Sequence, residues 1–259
     1  MGYNPTLSPN GKRLVFNVSV PSSIVTLETE CCTATFNLTL RHLFLVDGSS
    51  VVQLTGLQEK NIEDTPIGWS NDGKTIFFDR VANIRPIILE EERRARILSD
   101  PREVWAIDAD GANLRKIADG ELDSISPDGK TLAIYRVVKE GDHYVGGTYL
   151  IDSDGSNPRL LRELAWFCYF SPHNDQLACF DLVSYNLILI DLEGKLVAEL
   201  TQGIDIWPDV SWSPDGKWLS YVRTEEDGIR IWKLPIDGSS PSVRLTPTGF
   251  YNHYPNWVK

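Results

Sequence analysis

The chain has 259 residues, of which 42% are hydrophobic and 10% aromatic, enough for a sizeable core. Its formal net charge of −11 repels phosphate backbones, so we expect no nucleic-acid partner. No apolar run approaches the roughly 18 residues of a membrane-spanning helix, and the N-terminus lacks the basic and apolar regions of a signal peptide. We therefore expect no membrane insertion, and a cytoplasmic location for the chain as written.

Five copies of one motif organise the sequence in chain order. They read LSPNGKRLVF from Leu7, GWSNDGKTIFF from Gly68, ISPDGKTLAI from Ile125, FSPHNDQLAC from Phe170 and WSPDGKWLSY from Trp212. In each copy a stretch like Ser-Pro-Asp-Gly-Lys separates two apolar runs. Proline favours the φ of a turn and glycine accepts a positive φ, so each copy predicts two strands joined by a tight turn.

A second motif follows every copy of the first. It reads LFLVDGSSVVQLT from Leu43, VWAIDADGANLRKIA from Val104, YLIDSDGSNPRLLR from Tyr149, LILIDLEGKLVAELT from Leu187 and IRIWKLPIDGSSPSVRLT from Ile229. A glycine turn between apolar runs predicts a second hairpin, so each repeat has four predicted strands, A to D. DADGAN and DSDGSN resemble the start of a calcium loop, but their hairpin context and early glycine favour turns.

These repeats predict an all-β fold, a β-propeller of four-stranded antiparallel blades. We expect a single domain over residues 1–259, with repeats at approximately 3–56, 65–119, 122–163, 166–202 and 208–247 and a partial repeat at 252–259. The last segment, around Trp257, matches the first strand of a sixth repeat. A five-bladed and an incomplete six-bladed propeller are therefore both open.

The pattern W-S-P-D-G-K followed by D-x-D-G and L-T resembles the WD-like repeat of TolB-type propellers, which also occurs in propeller domains of prolyl-oligopeptidase-like proteins. The resemblance covers nearly the whole chain. The sequence departs from it at His173-Asn174-Asp175, where Asp-Gly-Lys is expected, and at Ile125, where tryptophan is expected. The resemblance implies a scaffold that docks protein partners, and TolB-type relatives are often exported.

Connections between strands B and C vary in length, whereas the other turns are nearly constant. Residues 18–42, inserted in the first repeat, alternate apolar and polar residues and predict an extended hairpin or lengthened strands. Residues 81–103, inserted in the second, contain EEERRAR and predict a short helix, either a lid on the blade edge or a docking helix. Strands alternate in direction, so B–C and D–A loops share one end of each blade, where we expect binding.

Eight residues form the predicted binding set at this end. They come from the D–A loops and the second insertion: Asp64, Asp123, Asp205, Trp207, Asp209, His253, Arg85 and Arg93. Their carboxylates, with Glu63 and Glu121, could hold calcium at the mouth of the channel, although such residues more often cap strands. We expect no cofactor.

The sequence contains no GxSxG elbow, and no spacing of its four histidines indicates catalysis, so we predict no catalytic residues. The predicted function is a monomeric, non-catalytic scaffold for protein binding. The alternatives are a propeller enzyme acting on a small molecule or carbohydrate with a channel-mouth metal, and the propeller part of a larger prolyl-oligopeptidase-like hydrolase.

Cys168 and Cys179 fall on neighbouring predicted strands and could lie opposite each other. Four cysteines are too few for a disulfide framework in a chain of this length, so we expect reduced core thiols.

Overall fold

The computed structural model describes residues 2–28, 33–57, 61–89, 94–202, 206–226, 228–247 and 255–257. All regular secondary structure in these residues is β-strand. No helix long and apolar enough to span a membrane occurs among them. The chain divides into two compact units, Met1–Leu122 and Asp123–Lys259. Within the described ranges, five four-stranded antiparallel sheets confirm the predicted fold class, a β-propeller with five blades.

The first unit contains two blades and an additional hairpin. The first blade consists of β1 (Gly2–Leu7), β2 (Arg13–Glu28), β3 (Thr33–Asp47) and β4 (Ser50–Gln53). Next along the chain come β5 (Glu63–Trp69), β6 (Thr75–Val81), β7 (Arg85–Leu89), β8 (Arg94–Leu98), β9 (Glu103–Asp108) and β10 (Arg115–Asp119). The second blade has the order β5, β6, β9, β10, because β7 and β8 form a separate two-stranded sheet.

The second unit contains three blades, and its boundary falls within the first strand of the third. These blades comprise, in chain order, β11 (Glu121–Ile125), β12 (Thr131–Glu140), β13 (His143–Asp152) and β14 (Arg159–Glu163); β15 (Ala165–Phe170), β16 (Gln176–Asp181), β17 (Leu187–Asp191) and β18 (Leu196–Glu199); and β19 (Ile206–Trp212), β20 (Trp218–Glu225), β21 (Gly228–Pro235) and β22 (Val243–Arg244).

The Ser-Pro-Asp-Gly-Lys stretch forms the turn between strands A and B through its own side chains. In the fifth blade, Ser213 Oγ donates to Asp215 Oδ1 at 2.6 Å and accepts the backbone N–H of Trp218 at 2.9 Å. Gly216 has a φ of 67°, the left-handed region that glycine occupies without strain. The Ser213 hydrogen bond also holds the pKa of Asp215 below its usual value. Local chemistry alone therefore closes this hairpin.

The blades bury apolar side chains between neighbouring sheets. In the first unit, the core between the two blades contains Val15, Leu43, Leu45, Trp69, Ile76, Phe78 and Ile107. In the second unit, one cluster joins the third and fourth blades and another joins the fourth and fifth. The middle strand β16 has apolar residues on both sides because the fourth blade packs against two neighbours: Leu177 and Cys179 face the third blade and Ala178 faces the fifth.

The first insertion lengthens strands B and C, as predicted. β2 and β3 pair continuously from Arg13–Asp47 to Glu28–Thr33, with a bulge between Pro21 and Ser23. The alternating pattern of this segment suits a two-stranded ribbon, because successive side chains in a strand point to opposite faces.

The short helix predicted in the second insertion is wrong. Residues 85–89 and 94–98 instead form the β7–β8 hairpin, in which Ile87 pairs with Arg96 and Arg85 with Leu98. Consecutive isoleucines favour a strand over a helix because of their branched Cβ, and the segment satisfies its backbone by pairing with itself. Residues 90–93, most of the charged run, lie outside the described residues.

The expectation of reduced thiols is also wrong for one pair, because Cys168 and Cys179 are disulfide-bonded. The register of β15 and β16 passes from Trp166–Phe180 to Tyr169–Ala178, so two residues of β15 stand opposite Cys179 alone. This bulge brings the two Cα atoms to 4.1 Å in a fully buried position. The sequence could place the cysteines on adjacent strands but not detect the bulge that aligns them.

The predicted sixth inner strand falls largely outside the described residues. Residues 255–257 are described and are not in a strand, but the Trp257 indole donates to the Ser211 carbonyl at 3.1 Å. Trp212 makes the same contact with the Tyr169 carbonyl of the preceding blade, at 2.9 Å. Trp257 thus docks on the fifth blade as the next repeat would.

Candidate functional site

Two hairpins of the first unit extend from the B–C end of their blades and lie against each other. The outer part of the β2–β3 hairpin leaves Ile24 74% exposed, and the side chains of Thr26 and Thr35 hydrogen-bond across it at 3.2 Å. β2 also contacts β7 of the second hairpin. The two insertions therefore meet where β2 contacts β7, and their described residues (18–28, 33–42, 84–89 and 94–98) are here called the hairpin platform.

The β7–β8 hairpin has an anchored base and an exposed outer part. At its base, the Asp100 N–H donates to the Ala82 carbonyl and the Ile84 N–H to the Asn61 carbonyl, both at 3.0 Å. Ile84 is buried, whereas Ile97 is 56% exposed. Arg85, from the predicted binding set, is exposed and donates to the Asn83 carbonyl at 2.9 Å. The platform is therefore a fixed structure that presents apolar side chains to solvent.

Asp64, also from the predicted set, is fully buried rather than presented at a surface. Both of its carboxylate oxygens accept from Arg80, with Nε–Oδ1 at 2.7 Å and Nη2–Oδ2 at 3.1 Å. The Arg80 guanidinium also lies over the Trp105 ring, 4.6 Å from its centre. This bidentate pair ties strands A and B of the second blade together, and it leaves Asp64 engaged inside the protein.

Asp79 is a buried acid that sequence reasoning missed. Burial raises its pKa to about 7, against the lowering effects of a 2.9 Å hydrogen bond from the Leu122 N–H and of Arg102, while Glu121 adds to the rise. Arg102 lies between the two carboxylates, 3.9 Å from Asp79 and 3.5 Å from Glu121. The signal was present in Asp79-Arg80, two charged residues inside an otherwise apolar strand.

Asp123, the first predicted residue in the second unit, is buried and supports the bulge of β15. Its Oδ2 accepts the backbone N–H of Cys168 at 2.9 Å. Trp207 lies in β19 and pairs with Val222, just before a bulge in which two residues of β19 have no partner in β20, and the half-buried Asp209 is one of these two. Asp123, Trp207 and Asp209 therefore all lie in the innermost strands of their blades.

An exposed apolar group at the B–C and D–A end of the fourth blade was not predicted. Leu164, Val183 and Tyr185 are all exposed, and a backbone hydrogen bond of 2.7 Å from Leu182 to Leu164 joins their two loops. Leu164 and Tyr185 have φ values of 55° and 58°, which large side chains rarely adopt. Strained backbone of this kind is concentrated at functional positions.

The remaining predicted binding residues, Arg93, Asp205 and His253, lie outside the described residues. Within the described ranges, no three His, Cys, Asp or Glu side chains are grouped as ligands for one metal ion.

Comparison with known sequences identifies one distant relative. No family model matches the chain. An uncharacterized protein of Agrobacterium fabrum is 26% identical over 136 residues, which are 51% of this chain and 45% of that protein. The match therefore spans less than half of the relative's length.

Solved structures of several proteins share the fold. TolB from Acinetobacter baumannii has a TM-score of 0.62 at 18% identity, over 92% of this chain and 52% of that one. A protein assigned as TolB from Agrobacterium tumefaciens has a TM-score of 0.62 at 17% identity, over 99% and 86%. Oligogalacturonate lyase from Vibrio parahaemolyticus has a TM-score of 0.58 at 14% identity, over 93% and 64%. The resemblance to TolB-type propellers is thus confirmed as one of fold.

Proposed function

We propose that this chain is a non-catalytic scaffold that binds a protein partner through the B–C and D–A end of its blades. The observation that carries the proposal is the hairpin platform, which adds no strand to either blade yet presents Ile24, Ile97 and Leu98 to solvent. Exposed apolar side chains on a fixed support are typical of protein-interaction surfaces. The resemblance to TolB-type propellers implies the same general role.

The exposed side chains of the platform indicate what kind of partner surface it would bind. Arg85 and Arg96 are exposed on β7 and β8 in a chain whose net charge is −11. A complementary surface would bury the exposed isoleucines against apolar side chains and place carboxylates near the arginines. Leu164, Val183 and Tyr185, at the B–C and D–A end of the fourth blade, form a separate exposed apolar group within the second unit.

Site-specific photo-crosslinking tests the proposal. A photoreactive amino acid at Ile24 or Ile97 is expected to give a discrete protein adduct in cells that express the chain. The control position is Val51, on the outer strand of the first blade, which at 61% is comparably exposed but lies away from the platform. Equal adducts from Val51, or none from the platform positions, would contradict the proposal.

Removal of the outer hairpin separates docking from folding. Replacing residues 85–98 by two glycines keeps the hydrogen bond between Ala82 and Asp100 that closes the base. We expect the melting temperature to change little, because Ile97 and Leu98 contribute exposed rather than core surface, while the Ile24 adduct is lost. Persistence of that adduct would show that this hairpin takes no part in binding.

A further inference from the structure

A cavity of about 140 Å³ lies in the second unit, among the A–B and C–D turns of the third and fourth blades. These turns are at the end of each blade that is opposite to its B–C and D–A loops. Asp152, Asn157, Arg159 and Asn174 form its polar wall, and Phe170 and Leu192 contribute to its apolar wall. None of these residues takes part in the proposed protein-binding surface, so the cavity is a separate feature of the fold.

The equivalent position in the second blade is closed by its own side chains. Asp108 Oδ2 accepts from Asn113 at 2.7 Å, while Oδ1 accepts from Thr75 at 3.3 Å and from Arg115 at 3.4 Å. The Asn113 hydrogen bond, followed by that from Arg115, holds the pKa of Asp108 below its usual value. Both oxygens of this carboxylate are engaged within the blade.

The third blade has Asp, Asn and Arg at the same spacing and a threonine paired with the aspartate in the same register, but a different arrangement. Asp152 Oδ2 again accepts from Asn157, at 2.6 Å. Arg159, the counterpart of Arg115, instead donates to the Leu192 carbonyl of the fourth blade at 2.6 Å. Neither Arg159 nor Thr131 bonds to Asp152, so Oδ1 accepts no hydrogen bond from any described residue.

The fourth blade contributes a second such acceptor. Asn174 occupies the turn position that is Gly216 in the fifth blade, with a φ of 60° against 67°. It therefore places a side chain where the repeat normally has none. Its Oδ1 is buried and accepts no hydrogen bond from the described residues. The departure of this repeat from Asp-Gly-Lys thus creates part of the cavity wall.

We propose that this cavity binds the primary ammonium group of an aliphatic amine, with Asp152 and Asn174 as acceptors. A buried acceptor without a partner requires a donor, and an ammonium group supplies three donors and no acceptor. The Asp152 carboxylate makes one of these bonds charge-assisted. Leu150, Phe170 and Leu192 provide apolar contact for the carbon stem, and the volume accommodates only a short one.

Ethylammonium is the direct probe, with propionate as an anionic control of similar size. Titration followed by the backbone amide resonances of Asn174 and Asp152 is expected to saturate with a Kd of about 1 mM, near the limit for so few atoms. A parallel titration with Nα-acetyl-lysine amide distinguishes a free small amine from a lysine side chain of another protein. Equal binding of propionate, or no saturable shift because water satisfies both acceptors, overturns the proposal.

Matched variants locate the site. N174G restores the usual glycine at a positive φ, and D152N removes the charge and one acceptor oxygen at nearly the same size, so both are expected to fold and to weaken binding about tenfold or more. D108N makes the same change in the closed second blade and is expected to bind like the unmodified chain. If D152N binds ethylammonium unchanged, or if D108N weakens binding equally, the cavity is not the site.

Discussion

Asp64 and Arg80 are almost completely buried, and each offsets the free-energy cost of burying the other's charge. Removing two charges from water is costly, and the bidentate geometry together with the Trp105 ring offsets this cost only while both partners are present. The pair is therefore a structural element of the second blade whose loss should be measured as stability.

A double-mutant cycle tests this dependence. We expect D64N and R80M each to reduce the free energy of unfolding by about 3–5 kcal/mol, because each leaves a charged or polar group buried without its partner. The double variant should lose less than the sum of the two. Urea unfolding provides the measurement, and K74A is the control, since the exposed Lys74–Asp72 pair should contribute less than about 1 kcal/mol. Additive losses would contradict the coupling.

Asp79 makes stability depend on pH in the opposite sense to an ordinary paired carboxylate. Its pKa is raised from 3.8 to about 7, chiefly by burial. Between these two values the folded chain keeps a proton that the unfolded chain has released. Stability therefore falls as pH rises through this range, by up to roughly 4 kcal/mol.

D79N tests this assignment because asparagine stays neutral and can still accept the Leu122 N–H. We expect D79N to gain stability relative to the unmodified chain as pH rises from about 4 to about 8. Denaturant midpoints across this range provide the comparison. D72N is the control: hydrogen bonding, led by Ser70, lowers the pKa of Asp72, so its effect should be constant above about pH 4. Parallel pH profiles for D79N and the unmodified chain would refute the assignment.

Among the strands, a tryptophan at the start of the second, fifth and partial sixth repeats hydrogen-bonds to the inner strand of the preceding blade. The Trp69 indole donates to the Thr6 carbonyl at 3.0 Å, as the Trp212 and Trp257 indoles do to Tyr169 and Ser211. Each acceptor directly precedes the apolar position that begins the motif. Because this contact repeats at one register, it aligns neighbouring inner strands within a unit.

Phenylalanine substitution isolates this hydrogen bond because most of the apolar ring is kept. We expect W69F, W212F and W257F each to lower the free energy of unfolding by about 1 kcal/mol. W218F should cost less, because no hydrogen bond of the Trp218 indole occurs in the described part of the chain. Chemical denaturation is the measurement. No effect of W257F would mean that the C-terminal segment does not stabilise the fifth blade.

The two insertions differ in how well sequence patterns describe them. Alternation of apolar and polar residues in positions 18–42 predicted an extended hairpin or lengthened strands, and β2 and β3 are lengthened. In the second insertion the charged run suggested a helix, but Ile87 pairs with Arg96 and Pro86 with Ile97 across a hairpin, and this backbone pairing decides the conformation. The helix prediction was based on residue composition, whereas cross-strand pairing gives this segment a hairpin conformation.

For the whole molecule, the sequence by itself determined the fold class. Each hairpin depends on chemistry within about five consecutive residues, as the Ser213 turn illustrates, so repetition of the motif predicts repetition of the blade. Net charge is likewise a property of composition and is known without a structure. The comparisons with TolB agree with this fold. Sequence identity this low does not indicate function, which depends on the individual sites.

Only the tertiary structure decided which residues form sites. Asp64 meets Arg80, Asp123 meets Cys168, and Asn174 shares a cavity with Asp152 because residues far apart in the chain lie on adjacent strands or blades. Asp108 and Asp152 lie in nearly identical local sequences, but Arg115 donates to Asp108 whereas Arg159 donates to the Leu192 carbonyl of the next blade, so the partner of each carboxylate depends on what packs beside it. Turn chemistry is local and therefore readable in sequence, whereas the pairing of polar groups is set by long-range packing.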